Sequence, residues 1–113
     1  MAMDINLVRW DERELEKITE MAARRVVQDA GVTLVRTYLK KGALVPVHVH
    51  SGEQRVRVRQ GSLAFIVAGE RVTLGEGEEL VIPAGKPHEA EALADTVVDD
   101  TRLGDVEFGV GAS

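Results

Sequence analysis

At 113 residues and 44% hydrophobic content, the chain has the size and apolar share of one globular domain, residues 1–113. Its net charge of -5 argues against a nucleic-acid partner, because a phosphate backbone selects basic surfaces. Cysteine is absent, so disulfides and thiolate ligands are excluded, and a metal would have to be held by imidazole, carboxylate or amide oxygen.

The aromatics are Trp10, Tyr38, Phe65 and Phe108, so the core must be built mainly from Val, Leu, Ile and Ala. Such a core, with 11 glycines, favours strands and turns. No basic stretch leads into an apolar run, and no run approaches the ~20 apolar residues of a membrane helix. A cytoplasmic protein with no membrane partner is the expectation.

In chain order, Leu15, Ile18 and Met21 recur at helical spacing behind Asp11, a good N-cap. A short N-terminal helix over Asp11–Met21 is therefore predicted. A strand is expected from about Ala23, turning at Asp29-Ala30-Gly31 into a second over Val32–Leu39. Further strands are expected at Val45–His50, Gln54–Arg59, Ser62–Val67, Arg71–Leu74, Glu79–Ile82, His88–Ala92 and Thr96–Thr101, with turns at the intervening glycines. The tail Gly109–Ser113 should fray. Short strands separated by frequent turns describe a sandwich or small barrel.

Alternation along these strands assigns their faces. His48 and His50 share one face. Gln54, Val56 and Val58 share a face that suits the interior, leaving Arg55, Arg57 and Arg59 for solvent or for acidic residues across a dimer. His88 shares its face with Ala90 and Ala92. All three histidines of the chain, together with Gln54, thus point into one interior. Glu53 is chemically a better ligand than Gln54, but parity directs it outward unless a bulge re-aims it. Arg36 and Tyr38 share parity and either line a pocket mouth or form an exposed arginine and a packed tyrosine.

The spacing of these residues resembles the cupin superfamily. Gly42, His48, His50, Gln54 and Gly61 fit the intervals of its first motif, with glutamine in place of the usual glutamate. Gly77, Pro83, Gly85 and His88 fit the second motif, where Ala92 replaces an asparagine. The motifs lie within residues 42–92. The resemblance implies an all-β, cupin-type jelly-roll barrel holding one divalent ion (Zn, Ni, Fe or Mn) on His48, His50, Gln54 and His88. It also implies a homodimer. The stretch His48-Val49-His50-Ser51-Gly52-Glu53-Gln54 is similar to small bacterial cupins that process unsaturated uronates. Their last strand carries an acid, then an aromatic, then an arginine. Here Asp100 takes the acid position, as a candidate catalytic residue. The aromatic position holds Arg102, and no arginine follows.

A neutral His3Gln set leaves a cation's charge uncompensated, which strengthens its pull on an anion. The expected activity is therefore binding of, or action on, a small anionic, sugar-acid-like molecule. The alternatives are a non-catalytic ligand- or metal-sensing cupin and a metal-dependent dioxygenase.

Overall fold

The computed structural model describes residues 8–29, 31–103 and 107–108. These contain β1 (Glu16–Thr19), β2 (Ala22–Asp29), β3 (Val32–Leu39), β4 (Leu44–His50), β5 (Gln54–Gln60) and β6 (Leu63–Val67). They continue with β7 (Glu70–Leu74), β8 (Glu79–Ile82), β9 (His88–Ala92), β10 (Thr96–Leu103) and β11 (Glu107–Phe108). One sheet has the order β1-β2-β3-β10-β5-β8 and the other β11-β4-β9-β6-β7. All pairings are antiparallel, and the two sheets face each other as a jelly-roll barrel. The tail beyond Phe108 lies outside the described residues.

Alternation explains which side chains fill the space between the sheets. On β5, Gln54, Val56 and Val58 are buried while Arg55, Arg57 and Arg59 are exposed. Val56 and Val58 pack with Leu39, Leu63, Phe65, Leu74, Ile82 and Val98 in one cluster. Directly opposed residues of neighbouring strands share a face. The pairs Arg102↔Gln54 and Asp100↔Val56 therefore carry the inward face of β5 onto β10.

The predicted N-terminal helix is not formed. Only a 3-10 turn at Trp10–Glu12 is helical, and the chain then enters β1, which pairs with β2. Leu15 and Ile18, two of the three residues that suggested an amphipathic face, are each about half exposed. Met21 packs against the core, but the stripe is not buried as a unit. The free edge of β2 instead offers backbone hydrogen bonds, and the β-branched Ile18 and Thr19 suit a strand.

Two of the outward arginines on β5, Arg55 and Arg59, find partners within the chain. Arg55 pairs with Glu53 and Glu79. Arg59 lies 3.3 Å from Asp99, which also takes a bidentate contact from Arg36 at 2.7 and 3.0 Å. Arg36 stacks on Trp10, and Tyr38 accepts a hydrogen bond from Arg25. Arg36 and Tyr38 therefore sit on the outer face of the six-stranded sheet and do not line the interior mouth. Val35 and Leu39, of opposite parity on β3, are the buried pair.

Gly61, which closes β5, has a φ of 91°. A β-carbon there would collide with the Asp95 carbonyl and with Thr96. The position thus requires glycine for both conformation and space. Among the described residues, no helix is long and apolar enough to cross a membrane.

Candidate metal centre

His48 and His50 reach the interior because β4 is irregular. Leu44 and Val45 pair with Glu91 and Ala90, but His48 pairs with His88, so the register slips by one residue between Val45 and His48. Unbroken alternation from Val45 would have put Val47 inside. Instead Pro46 and Val47 are both exposed, Val47 by 44%, and the slip turns His48 and His50 inward. A bulge tolerates the missing N–H of proline and re-aims the side chains that follow.

His88 is set by the turn before β9. Lys86 N–H donates to the Pro83 carbonyl, and Gly85, at φ 76°, supplies the left-handed residue that this turn needs. The Gly85 N–H donates to the His50 carbonyl at 2.9 Å, so the loop of the second motif is bonded to the strand of the first.

The three imidazoles converge. Ring centroids are 4.3 Å apart for His48 and His88, 4.8 Å for His48 and His50, and 5.4 Å for His50 and His88. One nitrogen from each lies within 4.8 Å of the others, so the group can hold a metal ion. Nδ1 of His48 lies 2.9 Å from the Pro46 carbonyl, and Nδ1 of His88 lies 2.9 Å from the Lys86 carbonyl. A carbonyl only accepts, so each ring carries a proton on Nδ1, and in the neutral tautomer Nε2 is the nitrogen left free for a metal. The Nε2 of His88 is buried with no hydrogen-bond partner among the described residues. Orphaned buried acceptors are costly, and a cation is one thing that satisfies them. Burial, reinforced by Arg102 and then by the other two imidazoles, pushes His50 down to about 3. Burial also lowers His88, against the opposing bond to Lys86. Both rings are therefore neutral at physiological pH, the state a metal ligand requires.

Gln54 is 3% exposed and faces the same interior, and its Oε1 is buried with no partner among the described residues. Glu53 turns outward to Arg55 at 3.5 Å, as parity requires. Asp100 and Arg102 both point inward from β10. Arg102 donates to Asp100 at 3.3 Å, and the side-chain exposures are 12% for Asp100 and 8% for Arg102. Burial raises the Asp100 pKa, opposed first by the Arg102 charge and then by hydrogen bonds from Gln54 and Arg102. His48, Gln54, His88, Asp100 and Arg102 all line one interior cavity.

Sequence reasoning treated Arg102 only as a departure from the uronate-processing pattern. The alternation Thr96, Val98, Asp100, Arg102 was enough to place it inside. Arg24, which also lines this cavity, was missed because the start of β2 was ambiguous between helix and strand.

A two-sheet jelly roll carrying three inward imidazoles at one end defines a small β-barrel whose interior could hold a metal ion. Residues 35–99 match the family model described as Cupin domain, and the chain belongs to that family. No curated protein sequence matches the chain. Among solved structures, KdgF from Halomonas sp. superposes with a TM-score of 0.80 at 23% identity, over 89% of this chain and 94% of that one. An RmlC-like cupin from Shewanella frigidimarina gives 0.81 at 23% identity, over 92% and 95%. A variant of oxalate decarboxylase from Bacillus subtilis gives 0.79 at 18% identity, over 91% of this chain and 30% of that larger one. At these identities the likeness is one of fold.

Proposed function

We propose that His48, His50, His88 and Gln54 hold one divalent metal ion, and that the protein binds or acts on a small anionic molecule there. The observation that carries this reading is the convergence of three imidazoles, two of them fixed through Nδ1 by backbone carbonyls. The fit extends to Gln54, whose buried Oε1 is an orphaned acceptor beside them. When bound, a divalent ion supplies Lewis acidity toward a carbonyl or carboxylate oxygen.

The chain's own residues do the rest. His48, His50, His88 and Gln54 contribute no formal charge, and Asp100 and Arg102 offset one another, so nothing in this set cancels the ion's attraction for an anion. Asp100 is the proton-handling residue in this reading. Burial raises its pKa, and the charge of Arg102 and the hydrogen bonds from Gln54 and Arg102 oppose that rise. Arg102 orients that carboxylate. The similarity of His48–Gln54 to uronate-processing cupins supports an organic acid as the ligand, acted upon in a homodimeric cytoplasmic protein.

A second reading is a non-catalytic cupin that binds or senses its ligand. It is favoured by Arg102 standing where the uronate-processing cupins carry an aromatic, and by its pairing with Asp100. A dioxygenase activity is the third, resting on the imidazole set alone.

Elemental analysis of the purified chain after metal-replete expression tests the site. About one ion per chain is expected in the wild type and almost none in His50→Ala. Absence of metal from the wild type refutes the centre, and equal content in both proteins refutes the role of His50.

A further inference from the structure

The imidazole cluster opens onto a cavity of about 280 Å³ between the two sheets. Its polar side chains are unevenly placed. Gln54 and Arg102 are opposed across β5 and β10, Asp100 is the next inward residue on β10, and His48 opposes His88 on the facing sheet. These five occupy one end. Most of the wall beyond them is hydrocarbon, including Val35, Leu39, Val56, Leu63, Phe65 and Val98. Away from the imidazole end, the polar residues lining the cavity, among those described, are Thr19, Arg24 and Thr37. Arg24 and Thr37 are direct neighbours across β2 and β3, and Thr37 in turn opposes Val98. Arg24 thus lies two strands across and one inward position along from Asp100, roughly 10 Å by 7 Å in sheet spacings. Its Nε donates to Glu16 of β1 at 3.0 Å.

We infer that the ligand is a small carboxylate with an apolar body, aromatic or branched aliphatic, and not a polyhydroxylated sugar acid. Its head lies at the imidazole end and its body lies along the valine, leucine and phenylalanine wall. The position of the head rests on the metal-centre reading; the nature of the body rests on the wall alone. A sugar acid would bring several hydroxyls against a wall whose polar side chains beyond the imidazole end are Thr19, Arg24 and Thr37, too few to replace the water partners of all of them. An apolar body of the same size gains from burial at every one of those contacts. The volume lies just below the usual range of ligand pockets, about 300–1,000 Å³, which suits a single small molecule.

Two measurements test this. The first is calorimetric titration of the metal-loaded chain with phenylpyruvate and 4-methyl-2-oxopentanoate, against glucuronate and galacturonate. The apolar acids should bind at least about tenfold more tightly, the order of discrimination that a few methylenes give in an apolar pocket. Equal or tighter binding of either sugar acid overturns the inference. The second adds benzyl alcohol, an uncharged probe, to the metal-free chain and follows Leu63 and Phe65 by NMR. Saturable shifts at both are expected, because the wall does not need the metal. Their absence overturns the inference even if the chain takes up metal. Saturable shifts in a chain that never takes up metal support the apolar wall and refute the metal centre, so the two failures are distinct.

Discussion

Asp99 and Asp100 are adjacent on β10 and differ only in the face they present. Asp99 looks out from the six-stranded sheet, is held by Arg36 and Arg59, and keeps 28% of its side chain in solvent. Asp100 looks in, keeps 12%, is paired with Arg102, and leaves Oδ1 without a partner among the described residues. One residue of chain separates a satisfied surface charge from a strained interior one. On the outer face Arg36, Arg55 and Arg59 all reach acidic partners. The inner face leaves Asp100 Oδ1, Gln54 Oε1 and His88 Nε2 unfilled within a few side chains of one another. Incomplete satisfaction confined to one end of the barrel distinguishes the site from the scaffold.

The sharpest way to break this contrast is to remove the partner of the inner acid. Arg102→Met keeps the volume and leaves Asp100 buried without its counter-charge. Loss of one partner from a buried pair typically costs about 3–5 kcal/mol, and the residual exposure of this pair places the expectation at ~3 kcal/mol. Urea unfolding of the metal-free variant measures it. A cost below about 1 kcal/mol would mean that Asp100 is effectively solvated and that the inner face is no different from the outer.

Metal is the next largest lever. An ion that binds only the folded chain stabilises it by about 2.7 kcal/mol at one hundred times its dissociation constant. A metal-dependent rise in Tm of the wild type, reversed by chelation, is expected, and His88→Ala should lose that rise. A rise retained in His88→Ala would place the ion elsewhere.

Acid should act on the same end. The His50 pKa is about 3 in the folded chain against an ordinary 6.5, so the folded state binds fewer protons than the unfolded one. Its contribution is complete above 6.5 and is lost as pH falls from there towards 3. Between pH 7.5 and 5 the metal-free protein should lose about 2 kcal/mol from this one ring. Asp100, raised by burial, slopes the other way, so the wild type must be compared with His50→Gln, which should flatten the profile. Parallel profiles for the two proteins would show that His50 protonates freely in the fold.

Much of this contrast was legible in the chain itself. Parity on β5 separated Gln54, Val56 and Val58 from the arginines between them, and the same rule sent Glu53 outward. Gly85 and Pro83 marked the turn that sets His88. The illegible features share a cause, since each depends on a partner that strand alternation does not name. Leu15 and Ile18 read as a helix because nothing local reveals that the edge of β2 takes this segment as a paired strand. Arg36 and Tyr38 could be assigned a face only against Val35 and Leu39. The slip at Pro46-Val47 is invisible to alternation, which from Val45 onward would have placed Val47 inside. The histidines were nevertheless placed correctly, because their parity was taken relative to each other and both lie beyond the bulge.

The smallest expected effect is the control for the first. Arg59→Ala removes an arginine that is half exposed and sits 3.3 Å from Asp99. Asp99 keeps the bidentate contact from Arg36, itself stacked on Trp10, so no charge is stranded. Exposed pairs of this type contribute about 0.2–1 kcal/mol, and the retained partner puts the cost near ~0.5 kcal/mol, with further screening by salt. Metal content should not change, because Arg59 points outward from the six-stranded sheet while the imidazoles sit on the five-stranded sheet and face the interior. A cost approaching that of Arg102→Met, or a loss of metal, would mean that the outer network holds β10 in place and that the two faces are coupled through the strand they share.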